Sequence, residues 1–209
     1  MSTRLRGPLL AVLFLCLSPA VAPAASLLVP DSSAMAVGAA MPMPSGHREF
    51  CLAHPQECGP VVAADPIEMT PARWRTIWKV NRAVNATIRG RTDMEIFGRE
   101  EVWTYPDTEG DCEDFALLKR RQLIEAGFPE ADLLMTTVRL EDGSGHAVLT
   151  LRTSDGDYVL DNLENRVLPW RETAYDYVRR QSSANAGLWL SIENGGGTRL
   201  ALESVSKSN

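Results

Sequence analysis

The chain has 209 residues, with 21 Lys and Arg against 27 Asp and Glu, and a net charge of −6 excludes a generally basic, phosphate-binding protein. Hydrophobic residues at 44% and charged residues at 23% lie in the globular range, which argues against disorder over most of the length. One folded domain is the default at this size, and no nucleic-acid partner is expected.

The first residues carry Arg4 and Arg6, followed by the apolar run from Leu9 to Leu17 and small residues ending in Ala22-Pro23-Ala24. That order is a secretory signal, with cleavage expected after Ala24. Its apolar part is too short for an ordinary spanning helix, so no stable membrane insertion is expected after cleavage. The expected location is periplasmic or secreted. Residues 25–49 are rich in Ala, Pro, Met, Ser and Gly without periodicity and read as a flexible leader. The folded domain is expected over 50–193, with a loosely ordered tail over 194–209.

Export favours oxidised thiols, and Cys16 leaves with the signal. Cys51 and Cys58 flank a Pro-containing segment that suits a small disulfide loop. A metal pair with His47 and His54 is the alternative, although its spacing matches no zinc pattern. Cys112 is then the free thiol.

Thr70 as N-cap and Pro71 in the first turn predict a helix that carries Trp74, Ile77, Trp78, Asn81, Val84, Asn85 and Ile88 on one face, ending before Gly90. Two asparagines in an apolar stripe need partners, and fastening neighbouring loops is their expected role. A second helix is signalled at Gly110-Asp111-Cys112-Glu113-Asp114-Phe115, with Asp111 as N-cap, Asp114 closing a capping box and Gly127 as the stop. Strands are expected over 133–140, 146–151 and 158–163, with a turn at Ser154-Asp155-Gly156-Asp157. A short helix is expected over 171–180 and a closing strand over 188–192.

A thiol is nucleophilic as thiolate, and a helix N-terminus favours that form. Cys112 sits there. His146 is the candidate base, since His47 and His54 lie beside the disulfide loop, and Asp161 is the candidate orienting carboxylate. A two-residue turn at Asp155-Gly156 would set Asp161 opposite Thr150, too far from His146. A four-residue loop from Arg152 to Asp155 would set His146 directly opposite Asp161, and that register is the expected one.

Gly110-Asp-Cys-Glu-Asp-Phe115, His146-Ala-Val-Leu149 and Val159-Leu-Asp-Asn-Leu163, with Trp103, Val80-Asn81 and Val84-Asn85 upstream, resemble the bacterial transglutaminase-like cysteine proteinases, whose LapG-type periplasmic members release biofilm adhesins. The resemblance runs from about Cys51 to Ser182. It implies an α+β, papain-like or transglutaminase-like fold in which a nucleophile at a helix N-terminus packs on an antiparallel sheet. It also implies a triad of Cys112, His146 and Asp161, a protein substrate, and an inner-membrane regulatory receptor as in the LapG system. Calcium dependence is implied as well, with Asp111, Glu113 and Asp114 as metal ligands. Carboxylates beside a thiol oppose its ionisation, and a hard cation would offset them; helix capping by Asp111 and Asp114 needs no metal. The oxyanion would be held by the Cys112 backbone N–H and a second donor, for which Trp103 and Tyr105 are candidates. Two other functions fit the same residues: amide cross-linking of glutamine to lysine, and a non-catalytic peptide-binding module.

Overall fold

The computed structural model describes residues 34–62 and 64–193. The expected signal, its cleavage site and the tail from Asn194 lie outside them. In chain order the elements are β1 (Val37–Met41), α1 (Ser45–Ala53), α2 (Pro71–Thr87), β2 (Arg89–Gly90), α3 (Asp93–Phe97), β3 (Glu109–Gly110), α4 (Cys112–Glu125), β4 (Leu133–Arg139), β5 (Gly145–Thr153), β6 (Gly156–Leu160), β7 (Leu168–Pro169), β8 (Asp176–Ser182) and β9 (Asn185–Ile192). Seven strands form one antiparallel sheet in the order β1-β9-β8-β4-β5-β6-β7, and β2 and β3 form a separate parallel pair. Helices and antiparallel sheet together give the expected α+β class. No helix among the described residues is long and apolar enough to cross a membrane.

Two clusters of buried side chains divide along the strands. Leu149, Leu151 and Leu160 join Ile77 of α2 and Leu117 and Leu123 of α4, while Val148 and Val159 join Val138, Trp170 and Tyr177. Alternate residues of β5 and β6 therefore serve opposite faces. With both faces covered, residues 146–151 of β5 are buried without interruption, which is why four of these six are apolar.

Helix α2 starts as expected: Pro71 occupies the first turn and the Thr70 hydroxyl accepts the Arg73 N–H at 3.2 Å. Its stripe is narrower than the periodicity suggested. Ile77, Asn81 and Val84 are buried, but Trp78 remains 48% exposed and stacks on Trp74. Helix α4 stops as expected, with Gly127 just past its end at a φ of +88°.

Two expectations are corrected. The leader read as flexible over 25–49 contains β1 and the start of α1, and β1 pairs with β9 through Val37↔Ile192 and Met41↔Trp189. A short edge strand of small residues is held through its backbone, so it leaves no side-chain period to read. The helix expected over 171–180 is instead a single 3-10 turn, Trp170–Glu172, followed by β8. Strand β8 is fixed between β4 and β9, a tertiary pairing that outweighs local propensity.

The buried pair Asp157–Arg180 ties these parts together. Asp157 Oδ2 accepts the Arg180 guanidinium at 3.0 Å and the backbone N–H of Met35, just before β1, at 2.8 Å. Asp157→Ala leaves a buried cation without its partner, so a loss of about 3–5 kcal/mol in unfolding free energy is expected. Urea denaturation should show a lower midpoint with an unchanged slope.

Candidate active site

Cys112 is the first residue of α4 and follows Asp111, whose backbone is extended. Gly110 is required here by space: a Cβ would lie 2.7 Å from Asp114 Oδ2 and 2.8 Å from Asp114 Cβ. The Cys112 thiol donates to Glu113 Oε2 at 3.1 Å, and its sulfur accepts the N–H of Ala147 in β5 at 3.3 Å. The sulfur is thus anchored beside the residue that follows His146. Burial, and then the adjacent Glu113 carboxylate, push the thiol pKa far up.

His146 Nε2 lies 2.9 Å from Asp161 Oδ1, and both side chains are buried. Neither register considered from sequence is the observed one. Thr153 pairs with Gly156 across a two-residue Ser154-Asp155 turn, and Leu149 pairs with Leu160. The Thr153 hydroxyl closes that turn by accepting the Asp155 N–H at 3.1 Å and donating to the Gly156 carbonyl at 2.7 Å. Strand β6 ends at Leu160, so Asp161 stands just beyond it and reaches His146 diagonally, a spacing open to long side chains.

The loop carrying Asp161 is fastened by the two asparagines of α2, as the sequence suggested. Asn85 Nδ2 donates to the Asp161 carbonyl at 2.8 Å, and Asn81 Nδ2 to the carbonyls of Glu164 and Asn165 at 3.2 and 3.1 Å. Asp161 Oδ1 also accepts the Leu163 N–H at 3.0 Å, and Tyr175 donates its hydroxyl to Oδ2. These donors and His146 keep the Asp161 pKa below its ordinary value against the cost of burial. Cys112, Glu113 and His146 line a cleft of about 680 Å³ together with Trp103, Arg139 and Arg179. Tyr105 does not join it as an oxyanion donor: its hydroxyl is given to Glu57.

The capping box expected from Asp111 and Asp114 does not form. Asp111 makes no side-chain cap; its Oδ2 accepts the Asp93 N–H at 3.3 Å, and Asp114 Oδ1 accepts the Thr104 N–H at 2.9 Å. Asp93, the first residue of α3, is the site residue that sequence reading missed. Its Oδ2 accepts the Val102 N–H at 2.5 Å. In sequence it is only the acid inside a Thr92-to-Glu95 capping box, which the structure contains in full. Carboxylate oxygens of Asp93, Asp111 and Asp114 gather within 4.8 Å of one another, and Asp111 and Glu113 also lie within that distance of the Cys112 sulfur. Asp93 Oδ1, Asp111 Oδ1 and Asp114 Oδ2 are buried without a protein hydrogen-bond partner. Burial raises the pKa of all four acids, Asp114 to about 7 and Glu113 to about 9, and repulsion from neighbouring carboxylates adds to the rise for Asp111, Glu113 and Asp114. Unpaired buried carboxylate oxygens at this density fit a hard, oxygen-seeking cation.

The alternative metal pair near the N-terminus is corrected. Cys51 and Cys58 are bonded to each other, and His47, packed beneath them, accepts the Trp189 indole N–H at 3.2 Å.

Residues 37–196 match the family described as bacterial transglutaminase-like cysteine proteinase BTLCP. The chain belongs to that family. This proteinase is a cysteine peptidase of transglutaminase-like type. Among solved structures, it is similar to Legionella pneumophila LapG, at 28% identity over 67% of this chain and 80% of that one, with a TM-score of 0.49. The calcium-bound form of that protein matches at 28% identity over 66% and 82%, and the EGTA-treated form at 29% over 64% and 75%, each with a TM-score of 0.49. No curated protein sequence matches the chain.

The raised Asp114 pKa sets a sign for stability. A carboxyl that titrates near 7 in the fold and near 3.8 when unfolded stabilises the proteinase most at low pH, and the contribution is lost as pH rises through about 7. In chelator, Asp114→Asn should therefore gain thermal midpoint over the parent progressively from pH 5 to pH 8. Paired melting curves across that range check this.

Proposed function

We propose that the proteinase is an exported endopeptidase in which Cys112 is the nucleophile, His146 the acid and base, and Asp161 the orienting group. The observation that carries this reading is the convergence of α4, β5 and the end of β6: Ala147 N–H on the Cys112 sulfur at 3.3 Å and His146 Nε2 on Asp161 Oδ1 at 2.9 Å. With Nε2–H given to Asp161, Nδ1 is left as the basic nitrogen. The thiol proton passes to Nδ1, and the sulfur bonds to the peptide carbonyl carbon. Nδ1–H then protonates the leaving amine as the C–N bond breaks. Water, losing a proton to Nδ1, attacks the thioester; as the C–S bond breaks the sulfur takes that proton from Nδ1–H, and the acid product leaves. The Cys112 backbone N–H at the start of α4 is positioned to stabilise the oxyanion.

Asp93, Asp111 and Asp114 would hold calcium, with Glu113 beside them; what the ion supplies when bound is positive charge next to a thiol that these acids otherwise keep protonated. The signal-like residues 1–24 and the Cys51–Cys58 disulfide support a periplasmic or secreted location. A surface adhesin is the proposed substrate class, on the strength of the family resemblance.

The test is alkylation of Cys112 by iodoacetamide across pH, in calcium and in EGTA, with His146→Ala alongside. Labelling should be fast near neutral pH in calcium, slower in EGTA, and on the order of 10-fold or more slower in the variant. Labelling no faster than a free thiol in solution under every condition overturns the reading. Calcium should also raise the thermal midpoint of the inactive Cys112→Ala protein. The rise should be larger at pH 7.5 than at pH 5.5, where protons occupy the same carboxylates.

A further inference from the structure

The proposed triad leaves unexplained what fixes the Asp161 carboxylate, and this inference rests on that reading. The terminal torsion of an aspartate is broad. Oδ1 accepts from both His146 Nε2 at 2.9 Å and Leu163 N at 3.0 Å, and neither contact holds the second oxygen. Tyr175 donates its hydroxyl to Oδ2, from a segment between the Trp170–Glu172 turn and β8. Its ring also packs against the imidazole of His146, with centroids 5.7 Å apart at an interplanar angle of 64°. One side chain thus touches both members of the acid–base pair.

We propose that Tyr175 is a positioning residue: its hydroxyl locks the plane of the Asp161 carboxylate so that Oδ1 stays on His146 Nε2–H, and its ring limits the swing of the imidazole. The phenol keeps its proton, because burial and the Asp161 charge raise its pKa, so it remains a donor across the working pH range. Tyr175 is itself restrained, with Tyr177 beside it at 6.4 Å and the Tyr177 hydroxyl paired with Thr173 Oγ1 at 2.8 Å. A hollow of about 190 Å³ borders Asp161 and Tyr175 together with Glu164 and Arg166. Water entering there is the substitute donor once the hydroxyl is removed, so a partial loss is expected. The titratable groups around Asp161 are His146 of β5, Lys119 of α4, Tyr175 and Tyr177, with Glu164 of its own loop acting on Tyr175.

The test compares wild type, Tyr175→Phe and Tyr177→Phe in calcium, reading the rate of Cys112 alkylation by iodoacetamide from pH 5 to 9 and the imidazole 15N shifts of His146. Tyr175→Phe keeps the ring and removes one donor. Its rate should fall about 5–10-fold across the range, because the carboxylate loses the donor on its second oxygen and no longer holds the imidazole in one orientation. The His146 shifts should move from a single Nε2–H tautomer towards a mixture. Tyr177→Phe should follow wild type within about twofold, since its hydroxyl serves Thr173 and the Trp170 carbonyl. A Tyr175→Phe profile that superimposes on wild type overturns the inference, as does an equal loss in Tyr177→Phe. Slow wild-type labelling that is indifferent to His146→Ala overturns the parent reading instead, so the two failures are distinguishable.

Discussion

The start of α4 carries more negative charge than its surroundings can pair. A helix N-terminus favours anions, yet Asp111, Glu113 and Asp114 occupy one turn there, and α3 adds Asp93. Backbone N–H groups of Asp93, Val102 and Thr104 each satisfy one oxygen, which folds the segment between α3 and α4 around the cluster. Three further oxygens stay buried without protein partners. The local geometry follows from this crowding: Gly110 has no space for a side chain, and Glu113 turns onto the thiol. Burial and the acids at this turn push the Cys112 thiol pKa up, opposite to what a nucleophile needs. A cation held among the acids, as proposed, would be the physical counterweight and would couple the reactivity of the thiol to metal supply.

The other half of the site is built by the sheet. Strand β5 lies between β4 and β6 with both faces covered, so His146 at its start is carried by one of the most constrained elements of the fold. Asp161 has no such support, because β6 ends one residue earlier. Its position comes from side chains reaching in from elsewhere: Asn85 on its carbonyl, Asn81 on the loop beyond, and Tyr175 on its second oxygen. The triad candidate is therefore half strand geometry and half cross-chain clamp, and α2 serves the site without touching the thiol.

Much of this was legible in residue order. Thr70 and Pro71 mark the start of α2, Gly127 the end of α4, and the residues from His146 to Leu151 a strand. The parity of β5 and β6 already put His146 and Asp161 on one face, yet the pairing register was not readable. The Thr153 hydroxyl closes the Ser154-Asp155 turn, which is neither the two-residue turn that local preference favours nor the four-residue loop expected from the need to set His146 opposite Asp161. Asp114 reads as the partner in a capping box, but the loop before α4 supplies Thr104 N–H as a better-placed donor. The edge strand β1 and strand β8 escaped notice because backbone pairing with distant strands defines them.

The sequence by itself determined the chemistry available: one thiol outside the disulfide pair and at a helix start, one histidine at a strand start, one aspartate in reach, and a dense acidic neighbourhood. These are properties of residue type and local spacing, which short-range physics governs. The tertiary structure decided which groups meet. Asp93 joins Asp111 and Asp114 across 18 or more positions of chain, Tyr175 reaches Asp161 from the approach to β8, and Met35 ties the edge strand to Asp157 over 122 positions. Those contacts depend on how the whole sheet closes, and no local pattern encodes a partner that distant.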